Sequence, residues 1–234
     1  MTKNVKKKKL DLKIKDLTKQ SGDKLTIHED LPSLPTIMNL VGCSGVGKTN
    51  VIINLLTHFK KFIKGNIVLF TKSLDDTYIH YEHPLGIHIY YDDEDVELRI
   101  KKILTAQREN KETFGHCPHV VILFDDFVTD QLLNKRRSPI YKLYTYGRHL
   151  NISTLMSSQS WTLIPSNLRR LAWYDIIFDI SNRKEKKSMI EELCGSLKMT
   201  EEEFEQAYNS CVDEPFAFLY INRKKKTYSK NFGV

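Results

Sequence analysis

Residues 36–49 read TIMNLVGCSGVGKT, an apolar run that gives way to three glycines, a lysine and a threonine. The spacing Gly42-x-x-x-x-Gly47-Lys48-Thr49 fits the P-loop pattern, whose backbone N–H groups curl around phosphate oxygens. Glycine suits that wrap because the chain takes angles, and comes close to the ligand, in ways a Cβ would block. Gly42, Cys43, Ser44, Gly45, Val46 and Gly47 would form the cradle together with Lys48 and Thr49. Lys48 would reach the β- and γ-phosphates, and the Thr49 hydroxyl would bind Mg²⁺. An ordinary Gly-rich turn would need no particular flanks. Here residues 36–41 read as a short buried strand, and NVIINLLTHFK at 50–60 carries apolar residues at helical spacing. That strand–loop–helix context aims a helix N-terminus at an anion. The expected ligands are ATP and Mg²⁺.

Working outward, short β-rich runs alternate with helical patterns. Strands are expected at 36–41, 66–71, 87–91, 119–124, 152–157, 175–180 and 216–222, and helices at 48–62, 94–109, 130–146 and 184–209. Several of the strands are continuously apolar, as in a parallel sheet covered on both faces. The alternation predicts an α/β fold with a central, mostly parallel sheet flanked by helices.

The chain has 234 residues, 41% of them hydrophobic, enough for one sizeable core. No apolar run approaches eighteen residues, so no membrane span or secretory signal is expected. Cys43, Cys117, Cys194 and Cys211 form no CxxC pair, and reduced thiols are expected. The fragments His116-Cys117-Pro118-His119 and His80-Tyr81-Glu82-His83 lack a second half at zinc-site spacing. The net charge of +7 is uneven, with Lys3 and Lys6 to Lys9 at one end and Arg223 to Lys226 with Lys230 at the other. Such clusters suit a polyanion such as nucleic acid, or simply a solvated arm. The expected organisation is a basic arm at 1–24, a P-loop ATPase domain at 25–222 and a basic tail at 223–234.

Residues 120–126, VVILFDD, read as a buried strand ending in two carboxylates. In a P-loop enzyme Asp125 would hold Mg²⁺ opposite Thr49, and Asp126 would polarise the attacking water. Two further strands are expected between the P-loop and this one, as suits ATPases with an extra strand between the P-loop strand and the Asp strand. The next strand ends LMSSQS and would bring Gln159 to the same sheet edge, where ligands of open α/β sheets bind. There it would orient the water or sense the γ-phosphate.

The run LYTYGRHLNISTLMSSQSWTLIPSNLRRLAWYDIIF, residues 143–178, resembles the viral genome-packaging ATPases of the FtsK–HerA superfamily, above all the poxvirus type. The resemblance rests on Gly147-Arg148-His149, Gln159 and Ile164-Pro165-Ser166-Asn167-Leu168-Arg169, together with the P-loop and the acidic strand end. It covers residues 36–195. One variation is Asp126, where many relatives carry Glu. The resemblance implies a RecA-like ATPase that assembles as a ring and moves double-stranded DNA into a preformed capsid, through capsid or portal-like vertex proteins. It also implies work at viral assembly sites in the host cytoplasm and in the virion. Such motors usually complete each ATP site with an arginine from the neighbouring subunit. Arg148 is the first choice, with Arg169, Arg170 and Arg183 as alternatives. Two other readings stay open at this level: an AAA+ type DNA-associated loader and a P-loop small-molecule kinase. No Asn-Lys-x-Asp segment of a GTPase switch is present.

Overall fold

The structure, a computed structural model, describes residues 31–63, 65–92, 94–127 and 138–233. Eight strands form one sheet: β1 (Ile37–Val41), β2 (Ile67–Thr71), β3 (Ile87–Tyr91), β4 (Val120–Asp125), β5 (Ile152–Ser158), β6 (Tyr174–Ile177), β7 (Leu219–Asn222) and β8 (Thr227–Lys230). Their order is β3-β2-β4-β5-β1-β6-β7-β8. Pairing is parallel from β3 to β6 and antiparallel from β6 through β7 to β8. Strands β1, β2, β4, β5 and β6 are buried along their whole length, which is why β2 and β4 read as nearly unbroken apolar runs.

Helices cover both faces. Helix α1 (Lys48–Ile63) packs Val51, Ile52, Leu55, Leu56 and Phe59 against Leu40, Leu69, Leu123 and Leu155. Helix α2 (Asp76–Leu85) adds Tyr78 and Leu85 to that face. On the other face lie α3 (Val96–Phe114), α4 (Pro139–Tyr146), α6 (Arg183–Leu197) and α7 (Glu201–Cys211), packed against Phe70, Ile122, Phe124 and Met156. Helix α5 (Ser166–Arg169) is a single turn. Among the described residues, no helix is long and apolar enough to cross a membrane.

The structure departs from the sequence expectations in four places. Helix α2 was not anticipated, because its periodicity is weak and Pro84 interrupts it; Asp75 caps its start through Thr77 N. The helix expected at 184–209 is two helices. Lys198 takes the left-handed conformation (φ 60°, ψ 38°), and Thr200 with Glu203 opens α7 as a capping box. Of the helix expected at 130–146, α4 begins at Pro139 behind the cap Ser138, while 130–137 lie outside the described residues. The expected basic arm also lies outside them.

The fourth departure is the basic tail, which is part of the sheet. Arg223 to Lys226 make the turn of a β7–β8 hairpin, and Phe232 is buried against Phe218 and Tyr220. Arg223 donates to the fully buried Asp175 of β6, with Nη2 at 2.8 Å from Oδ1, and Asn39 of β1 donates to the same oxygen at 3.0 Å. Lys230 pairs with Asp213 and Glu214. Much of the tail's charge is therefore matched within the fold.

Candidate functional site: a phosphate cradle beside a water-orienting pair

The loop after β1 is shaped by packing as much as by any ligand. A Cβ at Gly42 would stand 2.7 Å from Phe178 Cβ and 2.8 Å from Val46 Cγ2, so only glycine fits. Gly45 and Gly47 have φ of 81° and 96°, in the region that favours glycine. Lys48 opens α1 and is buried; its ammonium donates to the carbonyl oxygens of Gly42 at 2.7 Å and Cys43 at 2.9 Å. The first turn of α1 has no acidic residue, leaving its positive end free for an anion.

Thr49 Oγ1 donates to Asp75 Oδ2 at 3.1 Å. Asp75 and the fully buried Tyr78 are site neighbours that sequence reasoning missed. Their available signal was an acidic helix cap, Leu74-Asp75-Asp76-Thr77, directly after an apolar strand. Burial pushes the Tyr78 hydroxyl well above its usual pKa, and the charges of Asp125 and Asp75 push it further.

Strand β4 ends at Asp125, which is also buried. Burial raises its carboxyl pKa; the neighbouring Asp126 charge adds to this, while the Ser157 and Tyr78 hydroxyls and Lys48 oppose it. The Tyr78 and Ser157 hydroxyls are buried without a hydrogen bond of standard geometry. A carboxylate held dry beside the Ser157 and Tyr78 hydroxyls fits a hard cation, which supplies the charge that burial withholds. Asp125 supplies an oxygen ligand of the kind Mg²⁺ takes, while the Thr49 hydroxyl is held by Asp75.

Asp126 turns away from the strand at φ 45°, with its N–H donating to Ser157 O. Gln159 Nε2 donates to Asp126 Oδ2 at 2.9 Å. The register explains the meeting, since Asp125 pairs with Ser157 and the two side chains emerge just beyond. The strand inserted between the P-loop strand and the Asp strand is β5, which leads directly into Gln159. The two strands that intervene in sequence, β2 and β3, lie on the far side of β4.

Arg148 is not brought to this edge. It precedes β5, whose 7 residues span about 23 Å before reaching the P-loop side. Its guanidinium sits 5.7 Å from the centre of the Trp173 ring, which also carries the Lys224 ammonium at 3.1 Å. Burial and the Arg148 charge lower the Lys224 pKa. Among the described residues, neither cation has a carboxylate partner. Arg169, by contrast, is buried and bound to Glu192 and to the carbonyls of Trp161 and Ile164. Arg170 is exposed, and Arg183 opens α6.

Residues 26–204 match the Poxvirus A32 protein family. The chain belongs to that family. The DNA packaging protein OPG160 of variola virus is 29% identical over 150 residues, covering 61% of this chain and 53% of the relative. The OPG160 of vaccinia virus (strain Copenhagen) is 30% identical over 146 residues, covering 59% and 51%. This A32 chain thus spans about half the length of the poxvirus relatives it matches. Protein 075L of invertebrate iridescent virus 6 is 28% identical over 184 residues, 78% of this chain and 69% of that protein. In fold, the A32 chain resembles the genome packaging NTPase B204 of Sulfolobus turreted icosahedral virus 2 in complex with ATPγS. Their TM-score is 0.64 at 14% identity, over 84% of this chain and 96% of that one. The type VII secretion ATPase EccC of Thermomonospora curvata matches with TM-score 0.56 at 14% identity, over 83% of this chain and 25% of that one. The fold is that of the P-loop ATPases, as the P-loop and the strand pattern imply.

Proposed function

We propose that this chain is an ATP-hydrolysing motor that drives double-stranded DNA into a preformed capsid, acting as a homo-oligomeric ring at viral assembly sites in the host cytoplasm and in the virion. The observation that carries the hydrolytic reading is the 2.9 Å bond from Gln159 to Asp126, on the sheet edge that holds Lys48. A carboxylate and an amide at such a place suit a water molecule: Asp126 takes its proton and Gln159 fixes its direction. A kinase would instead need a second substrate site there. Lys48 would leave the Gly42 and Cys43 carbonyls for the β- and γ-phosphates. Thr49 and Asp125 would hold Mg²⁺, which offsets phosphate charge when bound.

The DNA-packaging part rests on family membership and on the relatives' names as DNA packaging proteins. Capsid or portal-like vertex proteins would be the docking partners. Arg148 acts in trans in this reading. It stands too far from its own P-loop to serve it, and its charge is unmatched by any described carboxylate. A neighbour's γ-phosphate would complete it. The test is steady-state ATP turnover. Lys48→Ala should reduce it to background with the fold intact, and Asp126→Asn should lower it by about 10²–10⁴-fold. Near wild-type turnover in Lys48→Ala would remove the nucleotide assignment.

A further inference from the structure

Phe216 is a bulky apolar residue placed where a folded chain rarely leaves one. The residue is 68% exposed, and its φ of 66° lies in the left-handed region that bulky residues avoid. The backbone around it is tied down. Ala217 N–H donates to Glu214 O, Phe218 N–H donates to Asn231 Oδ1 at 3.0 Å, and the Phe218 ring is buried against Phe178 and Phe232. The exposure is therefore built in. The ring lies beside the P-loop, since a Cβ at Gly47 would stand 3.5 Å from Phe216 Cδ1.

The direction of a bound triphosphate gives this ring a use. The hydrolytic groups Asp125, Asp126 and Gln159 stand at the ends of β4 and β5, on one side of the P-loop strand. A γ-phosphate turned toward them sends the nucleoside to the other side, over β6 and β7. The loop before β7 lies there, because Leu219 pairs with Ile177 at the carboxyl end of β6. We infer that Phe216 is the stacking platform for the nucleotide base, a flat apolar face for a purine next to the phosphate cradle. This rests on the nucleotide-binding reading of the P-loop and adds the base subsite to it. Stacking uses the π-face that every base has, so purines should bind better than pyrimidines without strict selection.

Titrations of ATP and of tripolyphosphate into the full chain separate the two parts of the site. Phe216→Ala should weaken ATP by roughly 5- to 150-fold, the usual range for losing one base–aromatic stack. It should leave tripolyphosphate unchanged, and Phe216→Tyr should restore ATP. Phe216→Trp serves if the alanine variant fails to fold: ATP should change its fluorescence relative to wild type, and tripolyphosphate should not. Unchanged ATP affinity overturns the inference, as does equal loss of both ligands or an effect on assembly mass alone. A wild-type chain that binds neither ligand would instead remove the nucleotide reading beneath it.

Discussion

Lys48 closes the P-loop on itself, taking the Gly42 and Cys43 carbonyls as partners for a buried ammonium. For Asp125 the Ser157 and Tyr78 hydroxyls and Lys48 relieve the cost of burial only in part. A carboxyl whose folded pKa is raised binds its proton more tightly folded than unfolded, so it subtracts stability as pH rises from its usual value of 3.8 through the raised one. Asp125→Asn removes that penalty. The nucleotide-free variant should melt at a higher temperature than wild type near neutral pH, and the gap should shrink as pH falls through that window, as calorimetry across pH would show. The same variant should lose Mg²⁺-dependent ATP binding, whereas Asp126→Asn should keep it and lose turnover. Equal effects of both variants in titrations with and without Mg²⁺ would show the two roles to be misassigned. At this scale the contiguous motif was legible, because a phosphate wrap needs neighbouring residues of fixed type. Asp75 and Tyr78 were not, because their contact with Thr49 and Asp125 depends on where α2 docks.

Elements were legible wherever burial on both faces left a nearly unmixed apolar run, as in β2 and β4. The end of the chain was harder to read. The turn Arg223 to Lys226 looks like a solvated charge run, and only the fold shows Arg223 reaching inward to Asp175 across β6. That pair fastens the antiparallel hairpin to the parallel sheet. Arg223→Ala would strand a buried carboxylate with Asn39 as its remaining donor, and should cost about 3–5 kcal/mol in a urea unfolding curve. Lys224→Ala, on the same turn, loses only its contact with the Trp173 ring and should cost about 0.5–1 kcal/mol. Similar losses in both would mean that the turn itself, not the ion pair, holds the hairpin.

The sheet separates two groups of residues, with the P-loop, Asp125, Asp126 and Gln159 at the carboxyl ends of the parallel strands and Arg148, Trp173 and Lys224 at the other edge. Such polarity suits a ring in which one copy's arginine edge faces the next copy's nucleotide. Neither Arg148→Ala nor Lys48→Ala alone should hydrolyse ATP, with Arg148→Ala losing on the order of 10³-fold or more in turnover while keeping nucleotide affinity. Mixing the two should recover activity at interfaces that pair the intact halves; mixed assemblies that stay inactive would end the trans role for Arg148. The measurement that bears most directly on the motor as a whole is ATP turnover against increasing double-stranded DNA of unrelated sequences. The proposed function predicts a rise that saturates, weakens steeply with salt as counterions compete for phosphate contacts, and is missing in Lys48→Ala. A wild-type rate that DNA leaves unchanged at low salt would contradict it.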